Sequence, residues 1–209
     1  MNNQYPAHPL AWSKKNVIIA TIRGAVVTHD YASYEVDTIE RGHPEAMSLE
    51  CVSGFGSASG GDLAVGRIGG AVQIMDSETR QTVGNYYIDG EEWSNAFIAN
   101  TVDTLSYSEE TRVLAVGRRY GGIAYYDMRM NGKVLFDLRE NGDEVFTVKW
   151  SPDGRYLASG YDSGTLRCMD WRMQRPFELI APGRKRAHKA CVTVRSFLSH
   201  PILLPNVFF

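Results

Sequence analysis

Four segments of the chain carry one pattern, and no other feature limits the possible folds as strongly. They are VIIATIRGAVVTHD (17–30), LAVGRIGGAVQIMD (63–76), LAVGRRYGGIAYYD (114–127) and LASGYDSGTLRCMD (157–170). Each opens on aliphatic and small residues, passes through a turn that contains glycine, and closes on an alternating stretch ending in aspartate. Gly66, Gly117 and Gly160 stand ten residues before Asp76, Asp127 and Asp170, and Ala20 holds that place before Asp30. Successive aspartates lie 46, 51 and 43 residues apart. A fixed internal spacing inside a period of about 45 residues marks a repeat architecture, in which each unit buries its apolar face against its neighbours.

The physics of the unit is that of a hairpin. Two short runs flank a turn of about two to five residues that can use glycine. Leu63, Leu114 and Leu157 open the first strand, and Ala64, Ala115 and Ala158 beside them permit close packing of one sheet on the next. In the second strand Leu166, Cys168 and Asp170 alternate with Arg167 and Met169, giving two distinct faces. Further strands are expected upstream at Thr104–Ser108, Thr147–Ser151 and, more weakly, Met47–Val52. Ser151-Pro152-Asp153-Gly154-Arg155 is a turn, with proline setting φ and glycine available for a left-handed position. A fourth strand should follow each aspartate, for instance Lys133–Leu138. Four antiparallel strands per unit make a propeller blade, so the expected class is all-β.

Composition excludes several functions. Lys plus Arg number 22 against 24 Asp plus Glu, a formal charge of −2, without the basic excess of a nucleic-acid or membrane-surface binder. Cys51, Cys168 and Cys191 form no CxxC pair, so neither a zinc site nor a redox motif is expected. His8, His29, His43, His188 and His200 are scattered without ligand spacing, and no metal or other cofactor is expected. GFGSASGG (54–61) lacks the lysine and the following helix of a phosphate loop. His29-Asp30 is a strand end without a nucleophile, and Glu91 and Glu92 have no acid/base partner in view. Arg184, Lys185 and Arg186 are expected in a solvated loop between units. With no apolar signal core at the N-terminus and no long apolar run, a soluble protein of the nucleus or cytoplasm is the expectation.

Val145 to Trp171 resembles a WD-repeat (WD40) blade: it has the tryptophan-serine-proline-aspartate-glycine turn, the LASG strand and a closing Met-Asp where that family has Trp-Asp. Met75-Asp76 and Tyr126-Asp127 replace Trp-Asp in the other copies. The family's buried aspartate position, seven before the closing Asp, holds Ser163, with Asp162 one residue away, which implies a weaker polar network between strands. The order of details is similar to the Fizzy family of anaphase-promoting complex activators. HPLAWSKKNVIIATIRGAVVTHD (8–30) resembles its first blade, DLAVGRIGGAVQIMD its second, GGIAYYDMR its third and DEVFTVKWSPDGRYLASG its fourth. HKACVTVRSFLSHPILLPNVFF resembles the opening of its fifth. On this resemblance residues 1–209 form one WD-repeat region with units at roughly 8–45, 46–92, 93–140 and 141–182 and a partial unit at 183–209. The expected fold is an incomplete WD40 β-propeller of about four blades plus the start of a fifth, where the family has seven.

Members of that family are substrate receptors and not enzymes, so the resemblance implies ligase subunits and degron-bearing substrates as partners, and neither nucleic acid nor membrane; the alternative is a WD40 protein-interaction scaffold without a ubiquitin-ligase role. An extended peptide would lie on a groove or face. Two groups are candidates for contact with it. Leu10 and Trp12 border the family's destruction-box groove, but Ala11 replaces an aspartate there. Arg67, Arg118, Arg119, Tyr120, Tyr161 and Asp162 fall at the hairpin turns, which in WD-repeat propellers open on one rim. Arginine and tyrosine suit an interface because they combine planar contact with directional bonds. The family's docking tails, an Asp-Arg-Tyr-Ile-Pro-like box and a terminal Ile-Arg, have no counterpart; the sequence ends Val207-Phe208-Phe209. An open arc of blades leaves two faces bare, so self-association through the propeller ends is also expected.

Overall fold

A computed structural model describes residues 10–12, 17–22, 25–30, 32–40, 46–52, 62–76, 79–87, 100–119, 122–130, 133–138 and 143–180. The described residues form four antiparallel sheets of four strands each, and within every sheet the strands lie in chain order. Blade one comprises β1 (Leu10–Trp12), β2 (Val17–Ile22), β3 (Ala25–Asp30) and β4 (Val36–Glu40). Blade two comprises β5 (Ala46–Val52), β6 (Asp62–Arg67), β7 (Ala71–Asp76) and β8 (Thr82–Tyr87). Blade three comprises β9 (Val102–Ser108), β10 (Val113–Arg118), β11 (Ile123–Asp127) and β12 (Lys133–Leu138), with a 3-10 turn at Met128–Met130. Blade four comprises β13 (Val145–Trp150), β14 (Tyr156–Tyr161), β15 (Leu166–Asp170) and β16 (Arg175–Ile180). The expected partial unit at 183–209, the 54–61 glycine run, Glu91-Glu92, the 184–186 basic run and His8, His43, His188 and His200 all lie outside the described residues.

The central hairpin strands explain the packing. Along β6, Leu63 and Val65 face blade one and cluster with Val26, Leu49 and Met75. Ala64, between them, faces blade three and joins Val102, Leu105 and Leu114. The same alternation recurs in β10, where Leu114 and Val116 meet blade two while Val113 and Ala115 meet blade four beside Val145 and Val148. Each LAVG strand thus turns its Leu and Val toward the preceding blade and its Ala and Gly toward the following one, and Leu157 of the LASG strand likewise packs toward blade three. Gly66 and Gly117 end the small face. A Cβ on Gly66 would stand 2.4 Å from Val102 Cγ1, and one on Gly117 would stand 2.9 Å from Val145 Cγ1. Those positions are glycine because the next inner strand occupies the space a side chain would need.

The inner strands β1, β5, β9 and β13 neighbour one another around the arc. No backbone ladder joins one blade to the next among the described residues; hydroxyl side chains bridge instead. The Ser48 hydroxyl donates to the Val102 carbonyl (2.9 Å). Val148 N–H donates to Thr104 Oγ1 (3.1 Å) and Trp150 N–H to Ser106 Oγ (3.1 Å). These bonds hold the inner strands alongside with the same polarity, so equivalent turns of successive blades fall on the same rim.

The repeated aspartates close the third-to-fourth-strand turns. Asp30 Oδ1 accepts from Ala32 N (2.7 Å), Asp76 Oδ1 from Thr79 N (3.1 Å), Asp127 Oδ1 from Arg129 N (2.9 Å) and Asp170 Oδ1 from Arg172 N (3.0 Å). Four residues after three of them, Tyr34, Arg80 and Gln174 take positive φ of 59°, 59° and 51°. An aspartate fits because its short carboxylate reaches backbone N–H groups two or three residues ahead.

Two substitutions test this account. Thr104→Val keeps the shape but strands the buried Val148 N–H, and should lower unfolding free energy by about 1–3 kcal/mol in urea titration. Gly117→Val should cost at least a similar amount through overpacking against Val145, whereas Thr38→Val, at a partly exposed outer-strand position, should change little.

Candidate functional site

The upper rim is formed by the turns between the second and third strands of each blade, together with the segments entering the inner strands. The structure places the expected residues there in unequal circumstances. Leu10 is 62% exposed at the start of β1, and Trp12 pairs with Ile18 through its backbone. Tyr120 lies outside the described residues. Arg67, Arg118 and Tyr161 hold equivalent positions at the ends of β6, β10 and β14, and all three are buried, at 5%, 3% and 2% exposure. Asp162, one residue beyond Tyr161, is exposed.

Each buried end residue is held by its own blade. Arg67 Nε donates to Gln73 Oε1 (2.9 Å), and Gln73 Nε2 passes the chain on to Thr82 Oγ1 (2.6 Å). Arg118 forms an ion pair with Asp137 of β12. The Ser159 hydroxyl donates to Tyr161 Oη (3.3 Å), and the Arg167 guanidinium sits 5.0 Å from the Tyr161 ring centroid. An open array of arginine and tyrosine is therefore not what these three positions present. Their side chains run from the second strand outward to the third or fourth, tying the top of each blade together.

Arg119 serves the junction between blades three and four. It grips Asp103 in bidentate fashion, Nε to Oδ2 at 2.9 Å and Nη2 to Oδ1 at 2.8 Å. It also reaches Glu144 Oε1 at 3.3 Å in the segment entering β13. Asp103 is 1% exposed, and burial raises its carboxyl above the ordinary range while Arg119 pulls it back. Glu144 is raised as well, by burial first and by the neighbouring Asp103 charge second. Asp143, beside it, accepts from the Ser163 hydroxyl (2.5 Å) and from Ser163 N–H (3.2 Å), and Asp162 N–H donates to the Glu144 carbonyl (2.9 Å). The carboxylate expected seven residues before Asp170 is thus supplied from Asp143 in the strand-entry segment, so the Ser163 substitution keeps a polar anchor. Asp103, Asp143 and Glu144 are the rim residues that sequence reasoning missed. A signal existed for Asp103, the lone acid of the β9 segment Val102–Ser108.

Counting what faces outward, the rim over blades three and four shows carboxylates: Asp162 is exposed, and Asp143 and Glu144 are partly so. Its arginines are turned inward and paired. Such a surface can bind through hydrogen bonds and charge; the described residues contain no cluster of His, Cys, Asp and Glu able to hold a metal ion.

Comparison with known proteins agrees with this architecture. The profile of the anaphase-promoting complex subunit 4 WD40 domain matches residues 105–194. A chain in the crystal structure of the mitotic checkpoint complex superposes with a TM-score of 0.69 at 24% identity, over 86% of this chain and 51% of that chain. This chain therefore spans about half the length of the solved one.

Carboxyl titration checks the site. Hydrogen bonding from the Arg129 side chain lowers Asp127, and the Ser151 hydroxyl lowers Asp153, so both add stability above the ordinary carboxylate range that is lost as pH falls. Asp103 and Glu144, raised, act in the opposite sense: stability is lost as pH rises from the ordinary range through their folded values. In urea titrations across pH, Asp127→Asn should flatten the acid limb below about pH 4, and Glu144→Gln should flatten the loss above it.

Four blades of antiparallel strands closed by aspartates, with these two matches, show the described part of the chain to be an arc of a WD40-type β-propeller.

Proposed function

We propose that the protein is a substrate-recognition WD40 subunit of the Fizzy type, acting with the anaphase-promoting complex in cell-cycle control. On this reading it works by binding, not catalysis. The observation that carries the proposal is the likeness to a chain of the mitotic checkpoint complex over 86% of the chain, together with a profile named for a subunit of the anaphase-promoting complex. The collinear blade-by-blade resemblance to the Fizzy family supports the same reading. Its partners would be ligase subunits and degron-bearing substrates in the nucleus or cytoplasm.

The upper rim is the proposed peptide surface. Its accessible groups are Asp162, Asp143, Glu144 and the blade-one edge at Leu10; Arg119 stands only partly exposed behind them. An extended peptide laid across the hairpin turns would meet carboxylates first. Arg118 would contribute through the shape of blade three, because its charge is already matched by Asp137.

Two measurements test the proposal. Affinity purification of the full chain from dividing cells, with mass spectrometry, should recover ligase subunits; their absence alongside other enriched partners would overturn the ligase connection. In fluorescence anisotropy with a destruction-box peptide, Asp162→Ala and Leu10→Ala should each weaken binding severalfold without shifting the unfolding midpoint. Arg118→Ala should lower the midpoint, since it leaves Asp137 without its guanidinium.

A further inference from the structure

The lower rim, at the opposite end of the strands, carries a construction that the peptide site above does not use. In blades three and four the strand-end aspartate is followed by Met128-Arg129-Met130 and by Trp171-Arg172-Met173. The two corners are built alike. The carboxylate accepts from the N–H two residues on, Arg129 in one and Arg172 in the other. The residue between donates its N–H to a carbonyl in the adjacent turn of the same blade, Met128 to Arg112 (3.0 Å) and Trp171 to Arg155 (2.8 Å). Those bonds draw Met128 into the core and leave Trp171 half-buried. The next two side chains are turned out to solvent: Met130 is 55% and Met173 62% exposed, and both arginines are exposed.

Aromatic packing fixes one corner against the other. Trp171 stacks on Phe136 of β12 at 5.4 Å and 24°, and its ring lies 5.4 Å from Tyr125 and 5.1 Å, edge-on, from Trp150. Between the corners β12 shows Val134 and Leu135, each 39% exposed. Leu135 is the extra residue of a bulge between the pairs Tyr126↔Val134 and Tyr125↔Phe136. Met130 and Leu135 of blade three and Trp171 and Met173 of blade four therefore give the lower rim of two adjacent blades an apolar surface. Lys133 and Arg172 border it, both exposed; Arg129 is exposed as well, but its guanidinium is spent on Asp127 of its own turn, Nε to Oδ1 at 2.9 Å and Nη2 to Oδ2 at 2.6 Å. The exposed acids Glu109, Glu110 and Asp153 sit in the first-to-second-strand turns, on the side nearer the axis. The Asp127 and Asp170 carboxylates are buried in their turns.

We propose that the lower rim of blades three and four docks an extended acidic segment of a partner protein, in which Asp or Glu alternates with large apolar residues. The charge pattern selects the partner: the Arg172 guanidinium and the Lys133 ammonium on the outer border match carboxylates, while the apolar surface beside them matches apolar side chains. Methionine suits such a surface because its unbranched thioether adapts to varied shapes. Arginine adds bidentate bonds to carboxylates. The shared turn geometry places Met130 and Met173 at equivalent points of adjacent blades; Arg172 keeps its guanidinium outward because Arg155 takes the ion-pair place at Asp170 (3.6 Å) that Arg129 fills at Asp127. This surface is independent of the upper rim and does not rest on the ligase reading.

The test uses the full chain and a fluorescein-labelled peptide of alternating aspartate and leucine, with a lysine-for-aspartate peptide as control. The acidic peptide should bind the more tightly, with an affinity that falls as salt rises. The double variant Met130→Ser/Met173→Ser and the single variant Arg172→Glu should each weaken it roughly tenfold, with unchanged unfolding midpoints, and Asp162→Ala on the upper rim should have no effect. Equal binding of the lysine peptide, absence of binding, unchanged affinity in both lower-rim variants, or loss in Asp162→Ala would each overturn the proposal.

Discussion

The contact on which the structure depends is the one between the small face of a hairpin strand and the inner strand of the next blade. Ala64 and Gly66 in blade two, and Ala115 and Gly117 in blade three, leave a shallow surface into which Val102 and Val145 press. Close approach brings the inner strands near enough for Ser48, Thr104 and Ser106 to bridge them. The hydroxyls matter because sheets stacked this way offer no backbone ladder across the gap, and an inner-strand N–H such as that of Val148 would otherwise be buried unpaired. Apolar packing supplies the attraction, and the hydroxyl bridges set the height of one blade against the next.

The blade three–four junction adds a charged clasp to that scheme. Arg119 joins an acid of its own inner strand to one at the entrance of the next, while Asp162 and Ser163 hold the same entrance from the other side. Lys149, on β13, reaches Glu50 on β5 at 3.5 Å, past the intervening β9. Charges therefore act here as spacers between elements, and what remains for a partner is a set of carboxylates above and an apolar surface edged by Lys133 and Arg172 below.

Much of the fold was legible in the sequence. The four repeats correspond to the four central hairpins, β12 spans Lys133–Leu138 as its position after Asp127 suggests, and the inner strands fall where Met47, Thr104 and Thr147 point. Hairpins are visible because their signals are local: an alternation, a glycine, a capping aspartate. The rim was legible only as a location. That Arg118 is neutralised depends on Asp137, and that Arg119 is committed depends on Asp103 and Glu144, each set beside it by the return of another strand. Linear order displays which residues stand at a turn, but not which of them have already found their counter-charge.

The left-handed residues of the lower turns have one more consequence. Tyr34, Arg80, Arg112 and Gln174 hold φ values between 51° and 59°, a conformation that costs a side-chain-bearing residue about 1–2 kcal/mol. Gly154 takes the same sense of φ, at 64°, in the first turn of blade four. Glycine meets that requirement in a first-to-second-strand turn, whereas Tyr34, Arg80 and Gln174 stand in third-to-fourth-strand turns closed by the aspartate caps. The lower edge of the propeller consequently holds unclaimed stability: an engineer could raise the melting temperature of the protein there without touching a single core contact.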